Sequence, residues 1–241
     1  MHIETNFFRL TKASVPLPVE LHAHTLFTDG ANSPEVMIKT AYDRGLKAIG
    51  FPEHVNSNSD YWCTFYKQVS VFRDILNGNI DIFIGMESKI VDFEGRLDIP
   101  AHLFSKPDYI VGVVHSPPEG PIKRGRNKKE YEKAIEVEFE ALRGLIRYGN
   151  CTVIGHIGGT FEKLYPGFNF PRRLRRELLF LCKRNCRVVE FNSRYHYPAK
   201  EWIEDLYNAE VFISLGSDSH SYKNVGNAYR IILKGVKSWK N

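Results

Sequence analysis

Two histidines, His22 and His24, stand one residue apart at the end of the apolar run that begins at Val19, and Asp29 follows five residues later. In an extended strand, residues two apart point to the same face. The two imidazoles therefore project together from one strand end, and Asp29 folds back toward them from the following loop. Paired imidazoles beside a carboxylate suit a divalent cation. The plain alternative is an amphipathic edge strand carrying incidental histidines. The rest of the chain decides between the two.

The same residue types recur at the end of every later apolar run. "FPEH" carries Glu53 and His54, "GMES" Glu87, "VVHS" His115 and "IGHIGG" His156. "EFNSRYH" carries Glu190, Asn192 and Arg194, and "GSDSH" carries Asp218 and His220. Six of the nine histidines fall at such positions; only His2, His102 and His196 do not. Incidental histidines would not track run ends in this way, so metal binding is the better reading. Nine donors (His22, His24, Asp29, His54, Glu87, His115, His156, Asp218 and His220) exceed the four that one tetrahedral ion takes. They suit two or three cations sharing a carboxylate, and Glu87 on the central third run is the bridging candidate. Mixed imidazole and carboxylate donors favour zinc, manganese or iron over magnesium or calcium, which prefer oxygen shells.

The elements that must position these donors alternate. Expected strands are Val19–His22, Ala48–Phe51, Ile80–Met86, Tyr109–His115, Thr152–His156, Val188–Asn192 and Val211–Leu215. Helical patterns lie between them at Pro34–Arg44, Trp62–Leu76, Lys129–Tyr148, Arg172–Lys183, Lys200–Asn208 and Val225–Leu233. Ser33 before Pro34 and Glu35 is a helix start, and Gly45 and Gly149 stand where helices end. Near-continuous apolar strands alternating with helices argue for a parallel sheet covered on both faces. An open doubly wound sheet would share this pattern but normally carries a nucleotide fingerprint, and no GxGxxG or Walker loop is present. The expectation is an α/β fold, a distorted seven-stranded (β/α)7 barrel resembling a TIM barrel. In such a barrel the C-terminal strand ends converge on one rim, where active sites sit.

Composition sets the bounds. The chain has 241 residues, 43% hydrophobic and 25% charged, which is enough for one domain over residues 1–241 with a real core. No apolar run approaches the ~18–20 residues of a membrane span, and no signal-peptide pattern opens the chain, so a cytoplasmic protein is expected. Cys63, Cys151, Cys182 and Cys186 form no CxxC and read as reduced, partly buried thiols. The formal charge of +5 is mild but concentrated in "KRGRNKK" (Lys123 to Lys129) and "RRLRR" (Arg172 to Arg176). Such runs attract phosphates or nucleic acid, or form solvated surface. The arginines of the second run are expected to spread around a helix, which does not suit a groove binder.

In their order, "HAHTLFTDG", "EH", "GMES", "VVHS", "GH" and "GSDSH" resemble the successive motifs of the PHP (polymerase and histidinol phosphatase) superfamily. The resemblance covers nearly the whole chain. It implies the distorted seven-stranded barrel, a trinuclear metal site and phosphoester hydrolysis. Carried over, it places one metal on His22, His24, Glu87 and Asp218. A second takes Glu87, His115 and His156, and a third takes Asp29, His54 and His220. Two departures stand out: Ile157 follows His156 where the family often has proline, and Ser219 varies the SDAH-like last motif. "DFEGRLDIP" (Asp92 to Pro100) also resembles the segment after the third strand in PHP domains attached to X-family DNA polymerases.

The expected chemistry is attack on phosphorus by a hydroxide activated between two cations about 3.5–4 Å apart, with a third cation and basic side chains holding the phosphoryl oxygens. Glu87, Asp218, His220 and Arg194 are the catalytic candidates, Arg194 as the bidentate phosphate clamp and His220 or Asp218 as aids to proton transfer. Lys123, Arg124 and Arg126 belong to the loop after His115 on the same rim. Tyr61, Trp62 and Tyr66 either stack a substrate ring or pack on the barrel, Glu53 supports the ligands, and Asn192 is expected as a hydrogen-bonder on the rim. The leading function is a phosphatase acting on a small phosphorylated substrate, in the manner of histidinol phosphatase. A phosphodiesterase or exonuclease on nucleotides or short nucleic acids is the second reading, and a non-catalytic, metal-stabilised accessory module the third. No membrane partner is expected, and pattern alone assigns no oligomeric state.

Overall fold

Each apolar run becomes a strand in the computed structural model, which describes residues 2–11, 15–118, 120, 128–196 and 199–239. The strands are β1 (Val19–Glu20), β2 (Ala48–His54), β3 (Asp81–Lys89), β4 (Tyr109–Val113), β5 (Val153–Ile154), β6 (Val188–Asn192) and β7 (Ile213–Gly216). They form one sheet in the order β1 to β7, every neighbouring pair parallel. Past the end of β1 the chain pairs with β7 and the residues after it, closing the sheet on itself. Leu21 N–H donates to Leu215 carbonyl at 2.7 Å and His24 N–H to Ser219 carbonyl at 2.9 Å, with Ala23 bridged to Ser219. The result is the nearly closed α/β barrel that the alternating pattern implies.

Helices α1 (Pro34–Asp43), α2 (Trp62–Ile75), α3 (Lys128–Tyr148), α4 (Gly159–Leu164), α5 (Arg172–Arg184), α6 (Ala199–Ala209) and α7 (Asn227–Trp239) cover the sheet. The Ser33 hydroxyl accepts from Val36 N–H at 3.4 Å, so the predicted helix start is a real cap. The strands themselves are buried on both faces, with Ile49, Phe51, Ile82, Ile84, Val113, Ile154, Val189 and Leu215 sealed from solvent. Tyr109 crosses the barrel interior, its hydroxyl donating to Leu21 carbonyl at 2.7 Å. Gly50 and Gly85 make room for its ring: a Cβ on Gly85 would stand 2.7 Å from it, and one on Gly50 would collide with the hydroxyl.

Three details differ from the sequence reading. β1 and β5 are only two residues long, because the chain leaves the ladder as it delivers its histidines; His156 itself takes a positive φ of 20°. Helix α4 was not anticipated, since six residues are too few to show a period. It is held from α3 by Glu138, whose carboxylate accepts from Thr160 and Phe161 N–H and whose pKa burial pushes up to about 8. Finally, three of the four arginines in the run do not spread, while Arg173 stands exposed. Arg172, Arg175 and Arg176 share one face and converge on Asp205 of α6, at 3.0, 2.8 and 2.8 Å from their Nε atoms. Arg175 is sealed from solvent, its guanidinium 4.5 Å above the Trp202 ring. These three cations tie α5 to α6.

The expected rim residues Lys123, Arg124 and Arg126 lie outside the described residues. No described helix is long and apolar enough to cross a membrane. Cys63, Cys151, Cys182 and Cys186 are all free, with Cys151 and Cys182 buried.

Candidate metal centre

Glu87 stands in β3, the third of the seven parallel strands, and its carboxylate is the hub of the strand-end histidines. Its Oε1 lies 3.1 Å from His156 Nε2, 3.4 Å from His115 Nε2 and 3.5 Å from His22 Nε2. Its Oε2 lies 2.6 Å from His54 Nδ1 and 3.6 Å from His24 Nε2. Asp218 Oδ1 is 3.5 Å from His24 Nε2, and Asp29 reaches His220 Nε2 at 3.1 Å and His54 Nε2 at 3.5 Å. All nine sequence-predicted donors therefore meet in one cluster, although they come from six strand ends. Their tightest groupings are His22–His24–Glu87, His54–Glu87–His115 and His24–His54–His220. His54 thus borders Glu87 and His115 as well as Asp29 and His220.

The donors are held from behind by buried carboxylates. Glu190 of β6 accepts from His22 Nδ1 at 2.6 Å with one oxygen, and from His156 N–H at 2.8 Å and Asn192 Nδ2 at 3.1 Å with the other. That bond turns His22 Nε2 toward His24 Nε2, only 3.0 Å away. Fixing one ring nitrogen on a carboxylate to aim the other is how metal-binding histidines are oriented. Glu53 accepts from Thr25 N–H at 2.8 Å and from the Thr25 and Thr28 hydroxyls, locking the loop between His24 and Asp29. Glu20 accepts from His22 N–H, Ser217 N–H and Gly226 N–H, and burial pushes its pKa up to about 7. Asn192 is fully buried behind Glu190, not on the rim where it was expected.

The electrostatics match a cation site. Burial works to raise the Glu87 carboxyl but is outweighed by His115 and His22, which hold it well below the usual range. Asp218 is likewise lowered, burial being outweighed by the hydrogen bond with His24 and the charge of His22. Burial works to lower His24, yet Asp218 and Glu53 bring it up to about 9. His22 and His156 are also raised against burial, chiefly by Glu190 and Glu87, whereas burial lowers His115. Protons on these imidazoles balance the buried carboxylates, and cations bound to the same nitrogens would displace them. His24 Nδ1 is buried without a hydrogen bond, and two facing imidazole nitrogens at 3.0 Å share at most one proton. The donor set fits divalent cations.

Above the cluster opens a cleft of about 430 Å³, on which Asp29, His54, Glu87, His115, His156, Asp218 and His220 all border. His22 and His24 are buried behind these residues and do not line the cleft. Arg194 reaches in from the end of β6, its Nη1 3.1 Å from His220 Nδ1 and 3.4 Å from Asp218 Oδ1. Lys89, Lys163, Thr160 and Tyr195 also line the cleft and were not singled out from the sequence. Lys89 was legible, being two residues past Glu87 on the same face of β3. Lys163 sits on α4, the helix that left no periodic signal. Tyr61, Trp62 and Tyr66 line none of the cleft; Trp62 is buried, and Tyr61 donates to His54 carbonyl at 2.5 Å. His196, excluded from the donors by position, is buried, stacked 3.6 Å from Trp202, and held neutral by burial.

The PHP domain family model matches residues 20–194. A protein of Caldicellulosiruptor bescii named "Probable phosphatase" is 29% identical over 224 residues, spanning 87% of this chain and 82% of that one. A "Probable phosphatase" of Vibrio parahaemolyticus is 26% identical over 219 residues, spanning 87% and 80%. Among solved structures, one from Listeria monocytogenes superposes with a TM-score of 0.71 at 18% identity, covering 88% of this chain and 98% of that one. Another is the histidinol phosphate phosphatase of Lactococcus lactis, complexed with zinc, L-histidinol and phosphate. Its TM-score is 0.65 at 18% identity, with 91% and 93% covered. These two share the fold.

Proposed function

The chain belongs to the PHP domain family, and from that premise we propose that it is a metal-dependent phosphatase hydrolysing a phosphate monoester, with histidinol phosphate the first substrate to test. One observation carries the reading: five imidazoles from four strand ends converge on Glu87 beneath an open cleft, with Asp29, Asp218 and His220 joined to the same cluster. The names of the curated relatives and the zinc and phosphate in the Lactococcus lactis complex support it.

In this reading His22, His24, Glu87 and Asp218 would hold one cation, Glu87, His115 and His156 a second, and Asp29, His54 and His220 a third. Two or three zinc, manganese or iron ions, when bound, would supply water of lowered pKa and withdraw charge from phosphoryl oxygens. The protein's own groups do the remainder. Glu190, Glu53 and Glu20 fix the donors so that the site is organised before substrate arrives. The half-exposed Arg194 guanidinium, beside His220 and Asp218, offers a bidentate fork to the phosphoryl oxygens. His220 or Asp218, beside Arg194 on the rim, would relay the proton released by the attacking water to the departing alcohol oxygen. Because His22 and His24 are buried, the open approach to the cluster among the described residues is the cleft.

The test compares an aryl phosphate monoester with the matching bis-aryl diester, using protein supplied with zinc or manganese beside an Asp218→Ala control. Monoester turnover that the control loses supports the phosphatase. Dominant diester turnover moves the reading to a phosphodiesterase, and turnover of neither by a cation-loaded protein overturns it.

A further inference from the structure

The cleft does not end at the metal donors. Lys163, Arg194 and Tyr195 line it and also line a second compartment of about 600 Å³, completed by Glu162, Phe168 and Asn169. The two spaces share a wall. A ligand whose phosphoryl group lies among the donors would pass its ester oxygen along Arg194 and Tyr195 into the second space. A compartment in the range of about 300–1,000 Å³ accommodates a molecule far larger than phosphate.

Its walls indicate what kind. Phe168 is 55% exposed, yet its ring is not loose. Its N–H donates to Tyr165 carbonyl at 3.0 Å, and its ring packs edge-on against Tyr131 at 5.6 Å. Tyr131 in turn lies edge-on to Phe161 at 5.1 Å and Tyr165 at 5.2 Å. An aromatic ring that is buttressed on one side and left open is the platform that base stacking uses. Tyr195 stands between the spaces, its ring 5.1 Å from that of His156 and 5.6 Å from the Arg194 guanidinium carbon. Glu162 and Asn169 supply an acceptor and an amide on the same walls.

We propose that this second compartment is the leaving-group subsite and takes a nucleoside-sized group whose flat, hydrogen-bonding ring stacks on Phe168. The inference rests on the phosphatase reading of the adjoining cleft. Small aliphatic phosphates would fill the first space alone and forgo the stacking contact.

Calorimetric titration of the zinc-loaded protein with two non-hydrolysable ligands tests this without turnover. One is methylphosphonate, which has no ring, and the other is the phosphonate analogue of a nucleoside monophosphate. The nucleoside phosphonate is expected to bind about tenfold tighter or better. Phe168→Ala removes that advantage and leaves methylphosphonate binding unchanged, whereas Phe168→Trp preserves it. Equal affinities in the unmutated protein, binding of neither ligand, or a Phe168→Ala that weakens both alike would overturn the subsite. Ring-selective binding together with no ester hydrolysis would sink the phosphatase reading and leave this site standing.

Discussion

At the scale of single residues, Gly216 shows how tightly the donors are packed. A Cβ added there would stand 2.6 Å from His22 Cβ and collide with Glu190 Oε1. Gly216→Ala must therefore push Glu190 off His22 Nδ1, leaving the imidazole free to turn. The expected outcome is a loss of zinc affinity of about 10–100-fold, the usual effect of removing a metal ligand's supporting partner. Competition against a chelating dye measures it, with Glu190→Gln as the parallel variant. Unchanged affinity in both would show that Glu190 does not aim His22. The donors themselves were legible in the sequence, because period two puts His22 beside His24 and because histidines tracked the strand ends. Glu190's role was not: it stands 168 residues from the histidine it orients, and only the closing of the barrel brings them together.

At the scale of elements, α5 and α6 are joined by charge as well as packing. Arg175 is sealed from solvent with Asp205 as its counter-ion, and Arg172 and Arg176 share that carboxylate. Removing one partner of a buried ion pair strands the other, so Asp205→Asn should cost about 3–5 kcal/mol. Guanidinium unfolding should register this as a lower midpoint at constant slope. The pH dependence follows from sign. Burial works to raise Asp205, but the bonds from Arg176 and Arg175 outweigh it and hold its pKa below the ordinary value. Its contribution is therefore complete above the ordinary carboxylate pKa and is lost as pH falls through the lowered one. Asp205→Asn should unfold with a shallower acid limb; an equally steep limb would assign the acid sensitivity to other groups. Spacing i, i+3 and i+4 could have placed these three arginines on one face, but the anion that claims them lies on another helix. What looked like a basic surface run is mostly an internal tie.

At the scale of the whole molecule, the barrel gathers six imidazoles and three carboxylates from β1 to β5 and β7 into one cluster. Cations that bind this assembled cluster, and not the unfolded chain, stabilise the fold by mass action. At a free concentration a hundredfold above the dissociation constant the gain is about 2.7 kcal/mol. For a chain of this length that raises the unfolding midpoint by roughly 5–10 °C. Thermal scans of zinc-supplied and chelator-treated protein read the difference, and identical midpoints would contradict cation binding at the cluster.

The sequence by itself determined the alternation of strands and helices, the parallel barrel, and which imidazoles and carboxylates gather at its rim. These depend on local period and on chain order, which a linear pattern carries. Only the tertiary structure decided the carboxylates behind the donors, the Arg–Asp205 tie, helix α4 and the aromatic second compartment. Each of these depends on groups that are distant in sequence or on a helix too short to show a period. Their pairing is set by barrel closure and packing, and a linear pattern holds no record of either.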